Sequence, residues 1–281
     1  MISTVIPVHI RSDLDKNFLF RALTSLNSQE LKPLEVILSV DKCPDFLIFQ
    51  KEILQAFPGL NLLFIEHPNS LGISKNSNMG IYKASGDFIH VLHQDDWLFD
   101  SDIYSLLSAT LRNANRRFLL LSGMRLNRIY TPRFDLTALV GNNEVGGPTG
   151  VIFPNCGDVW FDENLVMLLD VDFVHSLINR FGKPKVIDRV CVEYGVSGDQ
   201  AQNLVTSLGF ISELVYIFKK LNLARSRVMI TALFRLDAKI IFAVSDTLLK
   251  LPSNPILSTL LSVVRFCAGQ KLRTRRNSIK D

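Results

Sequence analysis

"GDFIHVLHQDDWLF", residues 86–99, runs an apolar stretch from Phe88 to Leu92 into two adjacent carboxylates, Asp95 and Asp96. A short apolar run of this kind reads as a buried strand. Like charges at its exit disfavour each other's ionisation unless something positive meets them. Side chains alternate across a strand, so at most one of the two carboxylates is expected to aim directly into a shared site, the other being structural. The plainer alternative is a carboxylate that caps the following helix.

Working outward, "STVIPVH" is a first strand ending at Pro7, and "FLFRALTSLNSQ" has a helical period through Phe18, Ala22, Leu23 and Leu26. "LEVILSVDKC" reads as a second strand, "LNLLFIEH" as a third, and "DFIHVLH" as a fourth, with the polar turn "PNSLGISKNSNMG" between the last two. Strands alternating with helical stretches predict an α/β fold, a mostly parallel sheet flanked by helices. Ligands of such sheets bind outside the carboxyl ends of the strands. Three polar clusters fall there: Pro7 to Arg11, Asp41 to Lys42, and His93 to Asp96. Asp102 to Arg117 reads as a scaffold helix with one stripe of Ile103, Leu106, Leu107, Thr110, Leu111 and Ala114. Beyond Arg128 come glycine-rich turns, a short strand, and a helix that carries Asp170 and Asp172.

The composition, 47% hydrophobic and 21% charged with 19 Phe in 281 residues, is that of a globular protein. Cys43, Cys156, Cys191 and Cys267 lack any paired spacing, which argues against a zinc ribbon or disulfide framework and for a reducing compartment. The N-terminus reads as a first strand and not as a signal peptide, so a cytoplasmic location is expected. The longest uncharged run, Leu251 to Val264, has 14 residues and two prolines. A spanning helix needs about 20. Residues 1–200 hold 18 Lys and Arg against 23 Asp and Glu, whereas residues 201–281 hold 13 against 4. An acidic catalytic part beside a basic part that meets anions is the expectation. No helix-turn-helix or aromatic pattern supports nucleic-acid binding.

The order of signals, "IPVH", Asp41, "NSLGISKNSNMGI", "ASGDFIHVLHQDDWL", "GPTGVIF", "FDENL" and "LLDVDF", resembles the large inverting glycosyltransferase family conventionally numbered two, over roughly residues 2–198. The resemblance implies the GT-A fold, a Rossmann-like sheet in residues 1–200. Residues 1–100 would be the nucleotide-sugar-binding half and residues 101–200 the acceptor half, followed by a basic helical extension over 201–281. It implies transfer of a sugar from a nucleotide-diphosphate donor to a hydroxyl of a glycan or lipid-linked acceptor. In that family the strand-end motif is usually Asp-x-Asp and holds Mn²⁺ or Mg²⁺ against the diphosphate. Here it reads His93-Gln94-Asp95, so the metal falls to Asp95, with His93 as a second ligand or as a hydrogen-bond partner of the nucleoside.

By the same resemblance Asp41 contacts the nucleobase, with Pro7, Val8 and His9 in the loop along it; the alternative is that Asp41 caps a turn. In "GISKNSNMG" Gly72, Ser74, Asn78 and Gly80 match the family segment, while Ser77 stands where Arg is common. Lys75 either supplies that charge or is a solvated lysine. Gln94 and Asn78 join the donor-binding set. Asp170 takes the position of the general base, with Leu169 where Glu is usual. Asp172 is a rival on another helical face, and both could simply solvate a helix start. "GVSGDQ", residues 195–200, replaces a segment that often carries a metal-binding His, leaving Gln200 as a diphosphate contact or the stretch as a loop. His67, His90 and His175 read as bystanders.

A degenerate, non-catalytic nucleotide-sugar or membrane-surface binding module is the standing alternative. A nucleotidyltransferase would want a glycine-rich loop after the first strand, and a serine hydrolase a Gly-x-Ser-x-Gly elbow; neither is present. Residues 201–281, with "KLRTRR" at 271–276, read as a peripheral membrane contact on an anionic leaflet, or as a helical subdomain or homodimer contact.

Overall fold

The computed structural model describes residues 1–41, 43, 45–112, 118–134, 144–196 and 207–221. They fall in two compact units, one built from Met1–Phe134 and Asn143–Asn203, the other containing the last described helix.

In the first unit the chain runs β1 (Ile2–His9), α1 (Asp13–Asn27), β2 (Glu35–Asp41), α2 (Phe46–Ala56), β3 (Leu62–His67), α3 (Ile73–Lys83), β4 (Phe88–Val91) and β5 (Trp97–Leu98). It continues with α4 (Ile103–Arg112), β6 (Leu119–Arg125), β7 (Arg128–Tyr130), a 3₁₀ turn at Pro148–Gly150, β8 (Val151–Pro154), α5 (Leu169–Phe181) and β9 (Lys185–Glu193). The nine strands form one sheet in the order β3-β2-β1-β4-β8-β6-β9-β5, with β7 on β6. The β3-β2-β1-β4 half is parallel throughout, as the strand–helix alternation predicts. The other half is mixed: β8 runs antiparallel to β4 and β6, and β5 to β9, while β6 and β9 are parallel.

Burial explains the parallel half. Every residue of β2 and all of β1 except His9 are buried, because helices cover both faces and the runs are apolar almost without break. Helix α1 starts at Ser12, whose Oγ accepts from the Asp15 amide while the Asp15 carboxylate accepts from Ser12 and Arg11. It buries Leu19, Ala22, Leu23 and Leu26. Helix α3 packs close on β1: a Cβ at Gly80 would lie 2.3 Å from Val5 Cγ1.

Two expectations need correction. Strand β1 does not end at Pro7 but continues to His9, so Pro7 and Val8 are buried strand residues and not loop. Proline fits there because β4 pairs only with Ile2–Val5, leaving no β4 carbonyl opposite the missing N–H. Strands β6 and β9, the sequences "LLLSGMR" and "KVIDRVCVE", extend the sheet where no strand was expected. The helix expected over 102–117 is present as Ile103–Arg112, with Ile103, Leu107 and Leu111 buried; residues 113–117, Ala114 among them, lie outside the described residues.

In the second unit, Ser207–Lys220 forms helix α6. The rest of the basic extension, including 271–276, lies outside the described residues. Among those described, no helix is long and apolar enough to cross a membrane.

Candidate active site

After Val91 the chain takes one more rung, Leu92 N donating to Val5 O, and then leaves the sheet in a turn closed by Asp96 N to His93 O at 3.1 Å. Strand alternation therefore no longer applies at the two carboxylates, and their partners distinguish them instead. His93, Asp95 and Asp96 each offer one ligand atom, all within 4.8 Å of one another. That span is close to two metal–oxygen bonds of about 2.1 Å each.

The three members differ. Asp96 is buried and accepts from Thr149 Oγ1 at 2.5 Å and Gly195 N at 2.8 Å; it caps no helix. Burial first, and then the neighbouring Asp95 charge, push its pKa up to about 8 against the pull of those two donors and Arg21. A buried carboxylate in this condition favours a nearby cation. His93 donates its backbone N–H to Thr149 Oγ1 at 3.1 Å, while its ring Nε2 is buried with no hydrogen-bond partner. Burial holds its imidazole neutral, only partly offset by Asp95, and the neutral ring is the metal-binding form. A buried acceptor without a donor, beside two carboxylates, fits a divalent cation such as Mn²⁺ or Mg²⁺.

The turn is braced from below by a buried chain of hydrogen bonds. His90 Nε2 lies 2.8 Å from the Thr149 carbonyl and must donate to it, so Nδ1 accepts from Tyr104 Oη at 2.8 Å. Tyr104 Oη in turn accepts from Thr4 Oγ1 at 2.6 Å. Burial lowers the His90 pKa to about 4, consistent with a neutral ring. His90 thus holds the residue that holds Asp96, which the bystander reading missed. His67 and His175 remain outside the cluster, His67 bonding Ser39 and His175 facing Asn179.

Gln94 points away from the cluster and bonds both backbone groups of His9, Oε1 to N at 2.7 Å and Nε2 to O at 3.1 Å, extending β1 by one rung. Asp41 ends β2 and accepts from Leu71 N at 3.0 Å and Ser70 Oγ at 3.2 Å, so it does hold a turn; His9 Nδ1 stands 3.9 Å away. His9, Asp41 and Gln94 form one corner at the carboxyl ends of β1 and β2. Pro7 and Val8 lie beneath it.

The "GISKNSNMG" segment docks α3. Ser74 Oγ donates to Leu165 O at 2.9 Å, Asn76 Nδ2 to Val8 O at 3.3 Å, and Asn78 exchanges two 2.9 Å bonds with the Phe161 backbone. Asn78 is therefore committed to the segment leading into α5. Lys75 is exposed on the first turn of α3. Gly72, at φ 79°, takes the left-handed conformation that precedes this helix.

Asp170 and Asp172 open α5, where the helix N-terminus favours acidic groups. Asp172 is 1% exposed, which removes the reading that it solvates a helix start; Asp170 is half-buried. Tyr194 follows the last residue of β9. Burial raises its phenol pKa, and the charges of Asp96 and Asp170 both raise it further. Its side chain occupies a glycine cradle: a Cβ at Gly123 would come within 2.4 Å of the ring edge, and one at Gly146 or Gly150 within 2.7 or 2.5 Å of the phenol oxygen. The stretch Ser197–Gln200 lies outside the described residues.

A parallel half-sheet with carboxylates at its strand exit, continued by a mixed half, has the arrangement of the GT-A fold. Residues 3–116 match the model of the family described as glycosyl transferase family 2, bearing out the resemblance carried by the ordered motifs. A curated relative, the GalNAc(5)-diNAcBac-PP-undecaprenol beta-1,3-glucosyltransferase of Campylobacter jejuni, is 29% identical over 106 residues. That match covers 38% of this chain and only 33% of the relative. S. aureus TarS 1-349 in complex with UDP-GlcNAc superposes with a TM-score of 0.62 at 16% identity, over 99% of this chain and 91% of that one. Its complex with UDP gives 0.60 at 17% identity over the same shares. These solved structures establish the fold.

Proposed function

We propose that the chain is an inverting glycosyltransferase that moves a sugar from a nucleotide-diphosphate donor to a hydroxyl of a glycan or lipid-linked acceptor. The observation that carries this reading is the His93–Asp95–Asp96 cluster at the sheet's carboxyl end, with Asp170 in the first turn of α5 as the candidate base. The relative named for action on a PP-undecaprenol substrate supports a lipid-linked acceptor, and TarS bound to UDP-GlcNAc supports a uridine nucleotide-sugar.

In this reading Asp95 and His93 hold Mn²⁺ or Mg²⁺ with Asp96 behind them, and the bound ion would neutralise charge on the departing diphosphate. The corner of His9, Asp41 and Gln94 flanks the nucleoside, with Lys75 near the mouth. Asp170 accepts the proton of the acceptor hydroxyl as that oxygen bonds to the sugar carbon and the bond to the diphosphate breaks on the opposite face. General-base help of this kind is worth about 10²- to 10⁴-fold in rate. The half-buried Asp170 suits a solvent-borne acceptor better than the enclosed Asp172. Residues 1–200 would be the catalytic domain and 201–281 a basic extension that touches an anionic membrane surface on the cytoplasmic side or another copy of the chain. Nucleic acid is not a partner in this reading.

The test is turnover of UDP-sugars with Mn²⁺, with and without a lipid-linked acceptor. Asp95→Ala should abolish metal-dependent turnover, and Asp170→Asn should lower kcat while leaving donor binding intact. A wild-type protein that binds nucleotide-sugars yet never turns them over would instead establish the binding-module alternative.

A further inference from the structure

Helix α1 presents two polar side chains four residues apart on one face, Arg21 and Ser25, and Gln29 follows just past its C-terminal end. All three grip the backbone that follows His93. Arg21 Nη2 donates to Asp95 O at 2.9 Å, Ser25 Oγ accepts from Leu98 N at 3.1 Å, and Gln29 bonds Asp100 O at 2.8 Å and Tyr104 N at 3.0 Å. Glu30 N adds a bond to Ser101 O at 2.8 Å. We propose that α1 is a splint for the cation-binding turn and that Arg21 is its positioning residue, acting on Asp95 through the Asp95 peptide.

The Asp95 peptide is held from two sides. The Arg21 guanidinium lies 3.5 Å over the Trp97 ring, with Phe18 at 5.2 Å, so its donor is fixed in direction. Opposite, the backbone of Gly195 approaches so closely that a Cβ there would sit 2.0 Å from Asp95 O. Although the charges of Glu193, Asp95 and Asp96 all act on it, the arginine donates through Nη2 to a carbonyl, and its buried Nε has no hydrogen-bond partner. Simple neutralisation would put the guanidinium on a carboxylate. The arrangement orients the peptide instead, and with it the direction in which the Asp95 side chain leaves the turn.

This inference rests on the placement of a cation at Asp95. Its sign separates it from a charge effect: removing a positive group beside carboxylates should tighten a divalent cation, whereas loss of positioning should loosen it. Free Mn²⁺ is titrated by electron paramagnetic resonance into full-length wild type, R21M, R21K and W97L, with thermal melts of each. R21M, which keeps the apolar stem, is expected to bind Mn²⁺ about tenfold or more weakly, and R21K, which can donate to the same carbonyl, to recover to within about threefold. Equal or tighter Mn²⁺ binding by R21M overturns the inference. If R21M does not fold, W97L decides, since it keeps the charge and removes the stacking surface: several-fold weaker binding supports positioning, and unchanged binding refutes it. A wild type that binds no Mn²⁺ would remove the cation reading itself, and this inference with it.

Discussion

Acidification should destabilise this fold through one buried ring. His90 is fully enclosed, and its pKa falls from 6.5 to about 4 in the folded chain. Above about pH 6.5 the ring is neutral in both states and contributes nothing to pH dependence. Between about 6.5 and 4 the unfolded chain binds a proton that the folded chain refuses, so stability falls as pH falls, by about 1.4 kcal/mol per unit and about 3 kcal/mol in all. Below about 4 both states carry the proton and the slope from this group ends. A loss of that size is a large part of the roughly 5–15 kcal/mol that holds a typical domain. The assay is urea unfolding at pH 7.5, 6, 5 and 4.5 for wild type and His90→Gln, whose amide can donate to Thr149 O but cannot titrate. At pH 7.5 the variant should be less stable by about 1–3 kcal/mol, because Tyr104 loses its acceptor. That gap should narrow by about 2–3 kcal/mol on reaching pH 4.5. Parallel curves across the range would show that His90 does not stay neutral in the folded protein, and would undo the tautomer on which the brace beneath Thr149 depends.

Gly195→Ala should displace the Asp95 peptide, costing about 1–3 kcal/mol of stability and weakening Mn²⁺ binding; unfolding curves and Mn²⁺ titration that match wild type would contradict the close approach. Asp170→Asn should lower kcat about 10²- to 10⁴-fold with donor affinity retained, measured by acceptor-dependent transfer, whereas Asp172→Asn should show chiefly as a lower melting temperature; the reverse pattern would exchange their roles. Burial alone would raise the Glu35 pKa, but hydrogen bonds from Ser3 and Ser85 outweigh it and hold it below the usual value. Its contribution is therefore present above about pH 4.5 and lost as pH falls through the lower folded value, so Glu35→Gln should cost about 1–3 kcal/mol at pH 7 and progressively less below pH 4. Denaturant unfolding at the two pH values checks it, and a pH-independent difference would count against it.

The parallel half was legible because its signals are local. Apolar runs four to eight residues long, a helical period in α1, and carboxylates at a strand exit each sit within one short window. What escaped the sequence is carried by contacts between distant positions. Thr149 reaches Asp96 across 53 residues, Gly195 reaches it across 99, and Arg21 reaches Asp95 across 74. Thr149 and Gly195 lie in the segments "GPTGVIF" and "GVSGDQ", but nothing local says that either one reaches Asp96. Strands β6 and β9 escaped because β9 alternates irregularly, bulging at two points where it pairs with β6. That one of the two carboxylates is structural was legible; which one was not, because the partners that hold Asp96 are distant in the chain. A partial signal existed for Gly150 and Gly146, whose spacing around Thr149 announces a crowded turn without saying what crowds it.

The glycine cradle around Tyr194 sets a boundary on how this part of the fold can be remodelled. A methyl group at Gly123 would run into the ring, and one at Gly146 or Gly150 into the phenol oxygen, so none of the three positions can take a side chain while the tyrosine stays where it is. Any reshaping around this phenol would have to begin from other positions.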